Sequence, residues 1–230
     1  FILGAGYPEL DYAAFFPDRF DDPRYEVPKY IVLWGKDPLF SNPDGFFGHA
    51  LIDLMKRGMK VAVIDPQLTW LAARAGEDWL RVRPGGDGAL AMAMLKVVCD
   101  EKLYDQEFCD KWVYGLEAVC ERVAEMDLDD LCEKSWVAKE DVQRVARTYA
   151  ASKPAAIQWG LAADQKTDGM QNGQVTVDLM AITGNLDVPG GTVVGVQMQF
   201  EMTGATDFMS EELKNKCIGW DVYPIVKVLL

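Results

Sequence analysis

The sequence lacks the cysteine and histidine patterns of a self-contained metal site or nucleophilic enzyme. Its five cysteines are odd in number, and no two of them are separated by two residues, the spacing typical of zinc and iron–sulfur sites. We therefore expect reduced, buried thiols. His49 is the only histidine, so a Ser-His-Asp or Cys-His mechanism confined to this chain is hard to build.

Positive charge is scarce, and long hydrophobic runs are missing. The chain has 23 Lys and Arg residues against 36 Asp and Glu residues, a net charge of −13. This balance argues against nucleic acid or an anionic membrane surface as a partner. No apolar run approaches the ~20 residues of a transmembrane helix, so we expect no direct membrane insertion. The chain does not begin with Met, and we expect it to be an internal piece of a longer protein.

Two familiar phosphate-binding fingerprints are incomplete. The GAG sequence at residues 4–6 lacks the third glycine, the preceding strand and the following helix of a dinucleotide motif. The run from Gly160 to Thr167 resembles a P-loop, but Gln165 stands where the turn requires a second glycine. We therefore assign neither stretch to its motif.

A strand–helix–strand unit opens the regular part of the chain. Tyr30–Trp34 and Val61–Ile64 are short, apolar, β-branched runs, typical of strands covered on both faces. Between them, Asn42 and Pro43 predict the start of a helix, and Gly58 predicts its end. Such a unit is almost always right-handed, with parallel strands.

The remaining sequence continues the alternation of strands and helices. We expect strands at 78–83 and 155–159, and helices at 69–75, 88–102, 105–113, 116–124, 138–152 and 170–183. Asp87 and Asp105 are predicted to cap the helices that follow them. The acidic run 125–133 indicates a solvated face, and residues 1–28 and 193–230 show no firm period. The pattern predicts an α/β fold with a mainly parallel sheet.

Polar groups in three loops suit a nucleotide. Gly35 allows close backbone approach, and Asp37 and Ser41 lie near a helix start, where backbone amides favour phosphate. Asp65 ends a strand, where a carboxylate binds ribose hydroxyls in nucleotide-binding sheets. Asp87 can accept two hydrogen bonds from the adjacent N–H donors of guanine. The alternative is that Asp37 and Asp87 cap helices and that Asp65 only turns the chain.

Several stretches, taken in order, resemble the molybdopterin-guanine-dinucleotide oxidoreductases, the dimethyl sulfoxide reductase family. They are LWGKDPLFSNP, VAVIDPQLT, VRPGGDGALAMAML, and WGLAADQKTDGMQNG followed by ITGNLDVPGG. The resemblance implies a Rossmann-like guanine-dinucleotide-binding domain at 29–160, the third domain of that fold. It also implies that 1–28 is an irregular segment of a neighbouring domain and that 161–230 returns to the second domain.

The resemblance also implies a cofactor contact for each matched loop. The implied contacts are Gly35, Lys36, Asp37, Pro38 and Ser41 for phosphate and ribose; Asp65, Pro66, Gln67 and Thr69 for guanosine; Pro84, Gly85 and Asp87 for the guanine edge; and Gly160, Leu161 and Gln165 for the pterin. The chain departs from the family pattern at Asp37, Gln67 and Asp187. A carboxylate beside phosphate is unfavourable unless Lys36 compensates or Asp37 binds ribose.

The parent implied by the resemblance is a bacterial enzyme of the formate dehydrogenase or acetylene hydratase kind, in the cytoplasm or the periplasm. Its bis-molybdopterin guanine dinucleotide cofactor would carry Mo or W and perform two-electron redox, oxygen-atom transfer or hydration. The metal's protein ligand, and any iron–sulfur cluster, would lie outside this chain. We expect this chain to grip one dinucleotide, to bind the rest of its parent and to be inactive alone.

An iron–sulfur electron-transfer subunit is the partner that the resemblance implies for the parent. Two alternatives to cofactor binding stay open. The first is a cofactor-free scaffold subunit of the same fold. The second is a nicotinamide dehydrogenase, although the GxGxxG motif that such an enzyme needs after its first strand is GKDPLF here.

Overall fold

Four parallel strands form the central sheet of the computed structural model, which describes residues 5–6, 26–41 and 46–194. These strands are β2 (Tyr30–Trp34), β3 (Lys60–Ile64), β4 (Trp79–Leu80) and β5 (Ala155–Trp159). A separate antiparallel pair joins β1 (Ala5–Gly6) to β6 (Val193–Val194). Within the central sheet, Tyr30 lies opposite both Lys60 and Ala155. The predicted α/β fold with a parallel sheet is therefore confirmed.

Helices connect the strands and cover the sheet. They are α1 (Pro38–Ser41), α2 (Phe46–Lys56), α3 (Trp70–Ala75), α4 (Asp87–Asp100), α5 (Gln106–Trp112), α6 (Leu116–Ala124), α7 (Leu128–Ser135), α8 (Lys139–Ala151), α9 (Leu161–Asp164) and α10 (Gly169–Ile182). A 3-10 turn, Gly76–Asp78, precedes β4. Among the described residues, no helix combines the length and apolar character needed to cross a bilayer.

The sheet is buried on both faces because side chains of a strand alternate between them. Ile31 and Leu33 pack with α2 and α3 in one hydrophobic cluster. Val32 and Trp34 point to the other face, where α4, α8 and α10 contribute to a larger cluster. Each fully buried aliphatic side chain contributes about 1.5–3 kcal/mol. Side chains of α10 and α4 belong to the same hydrophobic cluster. The predicted domain boundary after residue 160 stays a prediction.

Several local signals in the sequence correspond to the observed helix ends. Thr69 accepts a hydrogen bond from the Ala72 amide at the start of α3. Asp105 likewise accepts from the Phe108 amide at the start of α5, which confirms that predicted cap. Gly58 follows α2 with a φ of +104°, the left-handed conformation expected there. The predicted helix start at residues 42–43 lies outside the described residues.

Two sequence expectations were wrong, and one was incomplete. The strand expected at 78–83 is limited to Trp79–Leu80. The acidic side chains of the run 125–133 are exposed, as expected, but the run also contains α7, whose Leu131 and Cys132 are buried. Asp87 does not cap α4: it is the first residue of that helix, and its carboxylate bonds elsewhere.

The cysteines of the described part are free. Cys99, Cys109 and Cys132 are buried, as expected, whereas Cys120 is half-buried. Burial raises the pKa of the Cys109 thiol to about 11, which keeps it protonated and unreactive at neutral pH. Within the described ranges, no group of three or more His, Cys, Asp or Glu residues has the arrangement of a metal site.

The strand order β4-β3-β2-β5 creates a crevice at one edge of the sheet. The chain proceeds from β2 outward to β4 and then crosses to β5 on the other side of β2, so the order reverses between β2 and β5. In open parallel sheets, ligands bind outside the carboxyl ends of the strands at such a reversal. Here Gly35 follows β2 and Gly160 follows β5.

Glycine is required on both sides of this crevice. Gly35 has a φ of +57°, and its amide donates to the Ile64 carbonyl at 2.8 Å. The Gly160 amide donates to the Trp34 carbonyl at 2.8 Å, and a Cβ on Gly160 would overlap the Gly35 carbonyl oxygen. The two backbones therefore approach more closely than any side chain would allow.

We predict that Gly160→Ala lowers the free energy of unfolding by about 3 kcal/mol, because the new methyl group collides with backbone rather than with a flexible side chain. Urea denaturation measures the loss. Gly58→Ala is the control: its methyl group meets open space, so it pays only the left-handed backbone cost of about 1–2 kcal/mol.

Amide hydrogen exchange separates the two variants further. Gly160→Ala should accelerate exchange at residues 34–36 and 159–161, whereas Gly58→Ala should leave those amides unchanged. A loss of stability no greater than that of Gly58→Ala, with no local change in exchange, would contradict the close approach.

Candidate functional site

Loops after β2, β3 and β5 meet at the carboxyl edge of the sheet. A Cβ on Gly35 would lie 3.5 Å from the Ala162 side chain, which joins the first and third loops. The Asp37 carboxylate is close enough to Asp65 to raise the pKa of that residue, which joins the first and second. The structure therefore brings the loops after β2, β3 and β5, each of which carries predicted contacts, to one end of the sheet.

The loop after β2 uses its polar groups to form a one-turn helix. The Asp37 carboxylate accepts a hydrogen bond from the Leu39 amide at 3.3 Å. The Asp37 carbonyl accepts from both the amide of Ser41, at 2.8 Å, and its hydroxyl, at 2.7 Å. Pro38 is buried, whereas Ser41 is exposed, and Lys36 is half-buried. The local-structure alternative for Asp37 is thus realised, and a ligand contact there stays a prediction.

The loop after β3 holds Asp65 in a partly desolvated position. Its carboxylate accepts from the Gln67 amide at 2.8 Å, and its carbonyl accepts from the Trp79 indole at 2.9 Å. Burial raises the pKa of Asp65, and the charge of Asp37 adds to the increase, while the Gln67 hydrogen bond opposes it. Pro66 and Gln67 are exposed beside it. Hydroxyl donors, such as those of ribose, suit this carboxylate.

Asp87 occupies a different environment from the other predicted contacts. It is 6% exposed, one carboxylate oxygen accepts from the Trp34 indole at 2.8 Å, and the other pairs with the Lys166 ammonium. Gly85 and Pro84, just before it, are exposed. A guanine contact at Asp87 would have to share oxygens that Trp34 and Lys166 already use. That assignment stays a prediction.

The loop after β5 presents backbone and apolar groups to the edge. Gly160 is buried in the crevice, whereas Leu161 is 72% exposed and Gln165 is exposed at the end of α9. The Gln165 amide donates to the Leu161 carbonyl at 3.0 Å. This hydrogen bond of the short helix sets the backbone positions of both residues. Their predicted contacts to a pterin stay predictions.

Sequence reasoning missed two polar residues at this edge, Lys166 and Asn172. Lys166 was considered only as part of an incomplete P-loop, yet it pairs with buried Asp87. The available signal was that Lys166 is the sole cation in residues 160–170. Asn172 lies on α10 and is almost fully buried. Its spacing of three and seven residues from the apolar Val175 and Leu179 places it on their face of α10, and this spacing was the available signal.

The raised pKa of Asp65 predicts the sign of a pH effect on stability. When the folded pKa exceeds the unfolded value, the folded state holds the proton more tightly, so stability falls as pH rises through that window. Asp65→Asn removes this penalty. We expect the variant to melt at a higher temperature than the unmodified protein at pH 7, and the difference to vanish below the ordinary Asp pKa of 3.8.

Thermal unfolding followed by circular dichroism across this pH range tests the sign. Asp105→Asn is the opposing control, because hydrogen bonding to Phe108 lowers the pKa of Asp105. Losing that charge should destabilise the protein at pH 7. Destabilisation at pH 7 by both substitutions would contradict the electrostatic account of Asp65.

Comparison with known proteins identifies the family. A sequence model described as Molybdopterin oxidoreductase matches residues 21–217. Acetylene hydratase of Syntrophotalea acetylenica is 31% identical over 176 residues, covering 75% of this chain and 24% of that protein. Formate dehydrogenase H of Escherichia coli is 29% identical over 177 residues, covering 77% of this chain and 24% of that protein.

A solved structure gives the same result. The structure of acetylene hydratase from Pelobacter acetylenicus superposes with a TM-score of 0.70 at 30% identity, covering 86% of this chain and 27% of that one. This chain thus spans about a quarter of the length of these relatives. The family match covers more than half of the chain. The chain belongs to the molybdopterin oxidoreductase family, the dimethyl sulfoxide reductase family of molybdoenzymes.

Proposed function

We propose that this chain binds one molybdopterin guanine dinucleotide of a bis-molybdopterin guanine dinucleotide cofactor in a Mo- or W-dependent enzyme. The crevice between β2 and β5 carries the proposal. The strand order reverses between these two strands, and dinucleotides bind to open parallel sheets at such a reversal. Gly35 and Gly160 allow the loops that follow β2 and β5 to pack closely together there. Family membership implies a molybdopterin cofactor.

In this proposal, different loops at the edge bind different parts of the cofactor. The loop from Gly35 to Ser41 approaches the phosphates, Asp65 accepts from ribose hydroxyls, and Gly160 to Gln165 approach the pterin end. When bound, the cofactor supplies the redox or Lewis-acid chemistry at its metal, and the protein fixes its position. The chain's own contribution is therefore binding and orientation.

The electrostatics of this edge favour hydroxyl donors over bare phosphate. Asp37 and Asp65 raise the negative potential beside the crevice, and one of its cations, Lys166, is paired with Asp87. Phosphate would therefore be held mainly by backbone amides. Asp37 would bind ribose rather than phosphate.

A cofactor-free scaffold of the same fold is the second candidate. It is favoured by Asp87, whose two carboxylate oxygens are both engaged within the protein. In that case the loops at this edge would keep their positions but would not bind guanine.

The whole enzyme's reaction is inferred from its relatives. The matched proteins include a hydratase, a formate dehydrogenase and the molybdopterin-containing subunit of a thiosulfate reductase from Salmonella typhimurium, 30% identical over 164 residues. We infer two-electron redox, oxygen-atom transfer or hydration, in the bacterial cytoplasm or periplasm. An iron–sulfur electron-transfer subunit and the remainder of the enzyme are the proposed partners.

Metal and nucleotide analysis tests the proposal on protein purified anaerobically from its native host. We expect Mo or W in the protein and, after acid treatment, roughly two GMP released per metal atom, since the cofactor carries two guanine dinucleotides. Protein without either metal or GMP would reject the proposal in favour of the scaffold.

Nucleotide binding by this chain tests the half-site directly. Isothermal titration should show binding of GDP in preference to NAD. Asp65→Asn should weaken GDP binding roughly ten- to hundredfold, the value of a charge-assisted hydrogen bond. The affinities of the 2′-deoxy and 3′-deoxy analogues of GDP identify which ribose hydroxyl donates to Asp65, because the analogue that lacks this hydroxyl should bind more weakly.

The matched control is Asp105→Asn, which removes a carboxylate outside this edge and should leave GDP affinity unchanged. If Asp65 binds ribose, the relevant deoxy analogue should lose no further affinity in Asp65→Asn. A preference for NAD would instead support the dehydrogenase alternative, and equal losses in both variants would reject the role of Asp65.

A further inference from the structure

A small cavity lies under the carboxyl edge, between the ends of β2 and β5 and the first half of α10. Its volume is about 10 Å³, and the indoles of Trp34 and Trp159 form part of its wall. Three polar side chains also line it: Asp87, Asn172 and Thr176. A cavity of roughly 10–15 Å³ is the smallest that accommodates one water molecule.

Asn172 is the unusual member of this lining. Its side chain is 4% exposed, and among the described residues neither its amide nitrogen nor its amide oxygen has a hydrogen-bond partner. A buried polar group left unsatisfied costs about 1–3 kcal/mol. Native proteins therefore usually pair such groups with protein or with an ordered molecule.

The neighbouring polar groups complement an amide. The Thr176 hydroxyl donates to the Asn172 carbonyl at 2.8 Å, which leaves its oxygen able to accept. Asp87 has unused lone pairs beyond its bonds to Trp34 and Lys166, since a carboxylate accepts at about four positions. Asn172 itself is confined, because a Cβ on Gly88 would overlap its amide oxygen.

We propose that this cavity is a binding site for one water molecule, held by Asn172, Asp87 and Thr176. The water accepts from the Asn172 amide nitrogen and donates to the Asp87 carboxylate. Its second proton goes to the amide oxygen of Asn172 or to the Thr176 hydroxyl oxygen. Three hydrogen bonds are typical of a buried water. Asn172 thereby becomes a positioning residue, linking α10 to the carboxylate that secures Trp34 and Lys166.

The charges around the cavity select a neutral ligand over a cation of similar size. Lys166 already balances the charge of Asp87, and Asp168, which also acts on Lys166, is not part of the lining. An ammonium ion would therefore bring into the buried cavity a charge that no free carboxylate of the lining balances, which is costly. Water supplies the same donors and acceptors without that cost. This proposal does not rest on the proposed cofactor binding.

A high-resolution crystal structure and ¹⁷O relaxation dispersion of the protein test the proposal. We expect one density peak within 2.7–3.2 Å of the Asn172 amide nitrogen and of an Asp87 oxygen, the hydrogen-bond range. We also expect this water to contribute to the total of long-lived waters that relaxation dispersion reports. Asn172→Leu fills the cavity with methyl groups and should lose both signals. It should also accelerate exchange of the Trp34 indole proton, because Asp87 loses a partner.

Gln158→Leu is the matched control. Gln158 is also a buried amide, 2% exposed, with both amide atoms unpaired among the described residues, but it does not line this cavity. This variant should keep the peak and the long-lived water. Thr176→Val, which preserves volume, should shorten the water's residence time, and it serves if Asn172→Leu fails to fold.

Several results would overturn the proposal. They are a wild-type cavity without density, an Asn172 amide bonded directly to protein, or a total of long-lived waters that does not fall in Asn172→Leu. Replacing sodium salts with ammonium salts should leave the melting temperature unchanged. A saturable rise in the unmodified protein but not in Asn172→Leu would show that the site takes a cation instead.

Discussion

A buried carboxylate, Asp87, ties together the elements on which the site depends. It begins α4, accepts from the indole that ends β2, and pairs with Lys166 in the loop after β5. Both members of the ion pair are largely shielded from water. Removing one partner of a buried pair costs about 3–5 kcal/mol, because the other charge is left uncompensated. The positions of the loops after β2 and β5 are therefore coupled through one side chain.

This arrangement restricts the movement of the loops at the carboxyl edge, which would favour the proposed binding. The backbones at Gly35 and Gly160 approach without intervening side chains. Asp87 also connects the end of β2 to the loop after β5, through its contacts with Trp34 and Lys166. Fixing the loops in advance reduces the ordering cost of binding. The same rigidity would persist in a scaffold without cofactor, so geometry and cofactor occupancy are separate questions.

Local sequence signals predicted the parts of the fold that depend on neighbouring residues. The Asp105 cap needs only the amide three positions later, and the strand Ala155–Trp159 was readable as an apolar run ended by glycine. Asp87 had the same local pattern, and its expected cap was wrong. Its partners Trp34 and Lys166 lie 53 and 79 residues away, and local propensity carries no information about such contacts.

The acidic run was predicted correctly as a solvated face, but its helix was not predicted. Asp127 caps α7 through the Asp129 amide, and Leu131 contributes to the core even though most of its neighbours are charged. The buried side of this short helix is also polar: Ser135 is fully buried, and its carbonyl accepts from the Arg83 amide at 2.8 Å. This contact supports the turn that leads into Asp87. Because most residues of this stretch are charged, the sequence analysis predicted no helix there.

The predicted site residues combine two kinds of function that sequence alone does not separate. Asp37 and Thr69 bond to nearby backbone amides, so family patterns at these positions also serve local structure. Asp65 differs, because burial and Asp37 both raise its pKa, which means that the folded protein disfavours its charge. A ligand that donates hydroxyl groups would offset that penalty. The raised pKa of Asp65 thus favours a contact between this carboxylate and the hydroxyl groups of the proposed cofactor's nucleoside. In the same proposal, the phosphates are bound by backbone amides.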